Sequence, residues 1–229
     1  YKGGIWSLLV VCLPLMISEF SGSLMFFIDR VLLARYDAKA LIGVSTAANI
    51  SHIFSFLIIS TTMIAGIFVG RLNGAKKYHD VGSPVWQMIW LALFGGITLG
   101  FLGELVGPHV IPSSEHEYGL PFFSLIMKFS ISFALVAVLS SFFSGIGQIR
   151  LVCTYVMIGS ILNIILACLL IFGVEPFIPA MGSKGAALAC GLSESFVAIG
   201  LLSQFLSPVN RKKFGTNQFA FKWCLFKKC

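Results

Sequence analysis

Glu19, Asp29 and Glu194 are carboxylates that stand inside long apolar runs of this chain. An ionised side chain in hydrocarbon costs at least about 2.5–3.5 kcal/mol on insertion scales. An acid kept at that depth is therefore buried in a bundle or a wet cavity, where it takes up a proton or binds a cation. Asp29 follows Pro14 by fifteen positions, so at about 100° per residue the two lie within about 60° of each other on a helix. A bend at Pro14, which lacks a backbone donor, would swing the face that carries Asp29. Two roles stay open for Asp29: an ion-coupling carboxylate, or a partner of Arg35 near the outer membrane face. Arg30 is the poorer partner, because adjacent helical residues diverge.

The other polar groups at depth divide similarly. Glu19 points about 80° away from Asp29, ten residues earlier on the same helix, and lines a pathway or makes an interhelical hydrogen bond. Glu194, within Ser193-Glu194-Ser195, has the same two roles open. Asn163 either coordinates a cation such as sodium through its carbonyl or joins helices. His52 and Lys128 are weaker candidates, one satisfied locally and the other able to snorkel.

The elements that must hold these groups are membrane spans. Of 229 residues, 57% are hydrophobic and 11% charged, against roughly 25% charged in soluble domains. Too few charges remain to cover a soluble surface. A span needs roughly 20 mostly apolar residues, and six segments qualify: 5–33, 40–70, 85–107, 120–148, 151–173 and 185–206. The expected fold is an all-α membrane protein, a six-helix bundle over residues 1–206 followed by a basic tail or linker, 207–229. The very short turn Gly147-Gln148-Ile149-Arg150 makes helices four and five antiparallel neighbours.

Charge orients the bundle. With the N-terminus inside, eleven of the sixteen Lys and Arg residues fall on the inner side, six of them from Arg211 to Lys228. The positive-inside rule then places both termini in the cytoplasm of a plasma membrane, the inner membrane in a bacterium. The net charge of +7 does not indicate nucleic acid, since the charges sit in short segments between apolar runs rather than on a basic, aromatic-interleaved face. Four of the six cysteines lie in apolar runs, and there is no C-x-x-C pair or Cys/His zinc spacing. No nucleophile elbow or phosphate loop is present, so no enzyme and no cofactor are expected. The first apolar run is too long for a signal peptide. The chain starts at Tyr1 and stops in a basic run, as a piece of a longer protein would.

Several runs carry a family resemblance. Pro14-Leu15-Met16-Ile17-Ser18 and Met25-Phe26-Phe27-Ile28-Asp29-Arg30-Val31-Leu32-Leu33-Ala34 resemble the first helix of multidrug-and-toxin-extrusion transporters. Ala38 to Ser45 resembles the start of that family's second helix, Leu72-Asn73-Gly74-Ala75-Lys76 its Gly-Ala turn, Gly159 to Ile164 its Asn-bearing fifth helix, and Gly182 to Ala189 the start of its sixth. The set is in the family's order along nearly the whole chain. The resemblance implies the first half of a twelve-helix, alternating-access exporter. Its substrates would be organic cations or other amphipathic compounds, exchanged for protons or sodium. Its partners would be membrane lipid and a second six-helix half. Asp29 would be the coupling carboxylate, with Asn163 near it.

The sequence departs from the family's pattern in three places. Arg30 stands where a small polar residue is usual and Ala34 where Gly is usual. Ala167 stands where the branch of DNA-damage-inducible protein F carries a second acid. Related flippases of lipid-linked oligosaccharides share the fold and form the alternative function, together with an inactive half-transporter. The mostly acidic charges at membrane depth favour cationic substrates over a flippase's.

Overall fold

A computed structural model of the chain describes residues 5–173 and 179–217, with side chains from residue 16 onward except Ser18 and Glu19. Its elements are helical: α1 (Ile5–Tyr36), α2 (Ala38–Thr62), α3 (Ala65–Gly74), α4 (Gly82–Val110), α5 (Gly119–Lys128), α6 (Ser130–Gly145), α7 (Ile149–Phe172), α8 (Ser183–Phe205) and α9 (Pro208–Phe214). Among the described residues, Ala38–Gly74, Tyr78–Val110, Ile149–Phe172 and Ser183–Phe205 are long and apolar enough to cross a membrane, and α5 with α6 form a fifth, bent span. With the 32 residues of α1, the chain builds the six-helix bundle that its apolar runs predict.

Two of the six are broken where continuous helices are expected. The second, expected over 40–70, divides into α2 and α3 after Thr62. Ser60, Thr61 and Thr62 turn their hydroxyls back onto the carbonyls of Phe56, Leu57 and Ile59 at 2.6–2.8 Å, and Ile64 N–H bonds back only three residues, to Thr61. Back-bonding of this kind bends helices. The fourth, expected over 120–148, bends by 48° between α5 and α6. The cause there is tertiary. The Phe129 ring occupies the place where Gly191 of α8 lacks a side chain, and Ser130 Oγ donates to the carbonyl of Gly96 on α4 at 3.0 Å.

Close approach of α4 to this bend depends on glycine. A Cβ at Gly96 would lie 2.7 Å from the Cα of Ile131 and 2.9 Å from its N, whereas one at Gly100 would meet nothing nearer than 3.7 Å. Small residues let helix backbones approach in membranes, where packing rather than hydrophobicity drives association. Because Gly96 faces backbone, no rotamer change relieves the clash. Gly96→Ala is expected to destabilise the bundle by about 1–3 kcal/mol, the usual cost of overpacking. Gly100→Ala should be neutral or better, since Ala exceeds Gly in helix propensity. Thermal unfolding of the two variants in detergent checks the difference.

Two apolar clusters hold the bundle. One gathers Phe142, Phe143, Leu201 and Phe205 with Trp86 and Phe214. The rings of Phe142 and Phe205 meet edge to face at 4.9 Å. The other gathers Leu33, Phe123, Met127 and Ile171. Between α1 and α2, Asp37 caps α2 by accepting from Lys39 N–H at 2.9 Å. That bond, and a hydrogen bond from Tyr118 before α5, hold the Asp37 carboxyl below the usual carboxylate range. The same bond pushes the Tyr118 phenol up to about 12.

The stretch after α8 folds back onto the bundle. Trp86 Nε1 donates to the carbonyl of Thr216 at 2.8 Å, and Thr216 Oγ1 donates to the carbonyl of Phe205 at 2.9 Å. Asn210 Nδ2 reaches the carbonyl of Gln204 at 2.7 Å. Lys213 Nζ stands 5.8 Å from the ring of Tyr78. Residues 208–217 are thus tied to the start of α4 and the end of α8.

Candidate functional site

The site forms where α1, α2, α5 and α8 leave a space open between them. A cavity of about 420 Å³ is lined by Asp29 and Arg30 of α1, Ser45, Asn49 and His52 of α2, Phe122 of α5 and Cys190 of α8, with Phe26 and Phe27 beside the acid. A smaller pocket of about 60 Å³ shares Phe26, His52, Phe122 and Cys190 and continues along α2 to Ile59. The polar wall from α2 follows from spacing. Ser45, Asn49 and His52 recur at four and three residues, which places them on one helical face. His52 is steadied by the edge-to-face ring of Phe26 at 5.9 Å.

Asp29 Oδ1 is buried and accepts no hydrogen bond. Among the described residues the ion pair formed is Lys128 at the end of α5 to Glu104 of α4, 2.6 Å, both half-exposed. Asp29 therefore pairs with neither Arg30 nor Arg35, and the local pairing left open by the sequence is not made. An unpartnered buried carboxyl oxygen is unusual, because burying a polar group without compensation costs free energy.

Asn163 is fully buried, and both its amide N and its amide O lack partners. Its level in the bundle follows from neighbouring contacts. The rings of Tyr36 and Phe172, near the ends of α1 and α7, meet at 6.4 Å, so these two helices run parallel. Counting back at about 1.5 Å per residue puts Asp29 about 10 Å and Asn163 about 13 Å below those ends. The two unsatisfied groups therefore share a level, one turn apart or less, on helices that pack together. Along α7 and α8, Gly185 abuts Leu170 and Gly159 abuts Val197, which sets Asn163 level with Ser193. Ala167, one turn on, is fully buried and apolar.

Glu194 follows Cys190 by one turn on α8, and Cys190 shares the cavity wall with Asp29. Glu194 is half-buried but is not on the cavity wall. Its neighbour Ser195 joins Ser132 of α6 at 2.8 Å. The side chains of Glu19 and Pro14 lie outside the described residues, although α1 is helical through both positions. The structure thus brings Asp29 to a cavity wall, sets Asn163 beside it in depth, and keeps Glu194 off the wall. Arg30 and His52 line the same cavity. His52, the weaker candidate on sequence alone, reaches the wall as part of the α2 stripe it forms with Ser45 and Asn49. Among the described residues no three His, Cys, Asp or Glu side chains gather as metal ligands.

Apolar spans around an open cavity, with a lone carboxylate on its wall, are the build of a multi-pass membrane protein. Residues 14–169 match the MatE family model, and the chain belongs to the MatE family, whose members are transporters and not enzymes. It is 30% identical over 201 residues to the probable multidrug resistance protein NorM of Thermotoga maritima, covering 86% of this chain and 43% of that protein. It is 28% identical over 211 residues to the multidrug resistance protein PmpM of Pseudomonas aeruginosa, covering 85% and 42%. The fold matches an outward-facing multidrug resistance MATE family transporter of the MOP superfamily with a TM-score of 0.77 at 17% identity, over 94% of this chain and 48% of that one. It also matches the MATE multidrug transporter DinF-BH, with a TM-score of 0.76 at 20% identity, over 90% and 46%. The chain spans about half the length of the curated relatives it matches.

Proposed function

We propose that this chain is the N-terminal half of an ion-coupled antiporter that exports organic cations or other amphipathic compounds by alternating access. Residues 1–206 form the six-helix bundle, and 207–229 are the cytoplasmic linker to a second, similar half. Both termini are cytoplasmic, in a plasma membrane or a bacterial inner membrane. Asp29 is the coupling group, taking a proton or a sodium ion, with Asn163 contributing at the same depth.

The observation that carries this proposal is the unpartnered, buried oxygen of Asp29 on the wall of an open cavity. A group kept there without a protein partner is available to a proton, a cation or a substrate amine, and these compete for it. Competition of that kind, joined to a bundle that opens alternately to either side, is antiport. The names of the relatives, multidrug resistance proteins, agree with it.

The test is reconstitution of the intact protein, both halves included, in vesicles loaded with a cationic rhodamine ester dye. Efflux driven by an imposed proton or sodium gradient, and stopped by an ionophore that collapses it, is the expected result. Gradient-independent dye movement would overturn the coupling, and lipid-linked oligosaccharide movement without dye efflux would transfer the chain to the flippases.

Orientation has its own check. Cys224 and Cys229 lie outside the described residues, in the basic tail. An impermeant thiol reagent is expected to label them in inside-out vesicles and not in intact cells. Labelling from outside would reverse the topology.

A further inference from the structure

Arg30 is the feature of the cavity that a site for plain cations does not need. It lies six residues before the end of α1 at Tyr36, about 9 Å along the helix axis from that end. A guanidinium is charged at any physiological pH and carries five donors in a planar fork. Arg30 lines the same cavity as Asp29, yet among the described residues it forms no ion pair with Asp29 or any other acid. Its side chain is exposed and lies on the cavity wall, so its donors are open to a group that enters the cavity. An anion arriving from outside the protein would meet that fork.

The charge on the wall changes with the state of Asp29. With Asp29 ionised, the two side chains cancel. With Asp29 protonated or holding a cation, the wall carries the single positive charge of Arg30. A substrate bearing only positive charge is then repelled, whereas one that also bears a carboxylate is held by the fork. The aromatic rings of Phe26, Phe27 and Phe122 on the same wall supply flat apolar surface for the body of such a molecule, and His52 faces it from α2.

We propose that Arg30 determines specificity by receiving a substrate carboxylate, so that this cavity prefers aromatic amphiphiles that carry a carboxylate over their neutral-ester counterparts. This inference rests on the assignment of the chain as a transporter half. It refines the expectation from the sequence, where acidic groups at membrane depth favour simple cations.

Rhodamine B and its ethyl ester test this, because they share one ring system and differ in the free carboxylate. Binding to the purified intact protein in vesicles of phosphatidylcholine alone is followed by fluorescence polarisation, with no ion gradient. The wild type should bind the acid more tightly than the ester. Arg30→Ser should raise Kd for the acid by about tenfold or more, the range for a lost charge-assisted hydrogen bond. The same change should leave Kd for the ester within about twofold or lower it, since a like charge is removed. Arg30→Lys, which keeps charge without the fork, should retain part of the preference. An equal loss for both dyes would mark Arg30 as structural and overturn the proposal. So would a wild type without preference for the acid, or an effect that appears only when anionic lipid is added. Discrimination between the dyes in a protein that shows no ion-driven efflux would leave this inference standing and remove the antiport function alone.

Discussion

Asp29→Asn is expected to abolish ion-driven efflux by the intact protein while leaving folding and membrane insertion unchanged. Asn keeps the size and hydrogen-bonding reach of Asp and removes only the ability to titrate and to carry negative charge. Stability has nothing to lose from the change. Asp29 makes no ion pair, and its buried oxygen Oδ1 has no hydrogen-bond partner to lose. Replacing an uncompensated buried acid by a neutral group is usually neutral or favourable. Activity is different, because a coupling site that cannot exchange a proton or cation leaves the gradient unconnected to the substrate. Efflux in vesicles should fall to the level of protein-free controls, with an unaltered thermal midpoint as the companion measurement. Glu19→Gln should be milder, as its face points away from Asp29. Glu194→Gln should also be milder, because Glu194 is off the cavity wall. Normal transport by Asp29→Asn together with a dead Glu19→Gln or Glu194→Gln would mean that the coupling group is elsewhere.

How far such a site is legible in the sequence depends on which force places each residue. Spans are legible because hydrocarbon demands long apolar runs, and the six runs correspond to the six rods of the bundle. The break after Thr62 has a local cause that is written in the run Ser60-Thr61-Thr62, though length alone reads through it. The bend at Phe129 has no local cause. It exists because α8 offers Gly191 as a slot and α4 offers the Gly96 carbonyl, and both partners are distant in sequence. The candidate site divides the same way. Asp29 stands out because a carboxylate in an apolar run is expensive. Arg30 and His52 are visible as polar residues, but which wall they line depends on how α1, α2 and α8 diverge. Asn163 gives the least warning, since one amide in a span serves a helix contact as readily as an ion. Its two unsatisfied polar atoms emerge only with the packing.

The second large effect concerns the 229-residue chain expressed by itself, which is expected not to transport. Alternating access in folds of this kind needs two bundles that rock against each other around a shared site. The cavity here is walled by α1, α2, α5 and α8, and what closes its open side does not come from the described residues. Large apolar side chains crowd the outer faces of α1 and α2, among them Phe20, Ile53, Phe56 and Leu57, each more than 60% exposed. Lipid can cover such faces, but lipid cannot seal the cavity from one side while opening it to the other. Vesicles holding this chain alone should therefore show no gradient-driven dye efflux. Adding the second half as a separate chain should restore part of the activity, because helical halves that each satisfy their own backbone can associate within the membrane. Robust efflux from the 229-residue chain would contradict this unless crosslinking shows two copies of it paired, in which case the second copy takes the place of the missing half and the requirement for two bundles still holds.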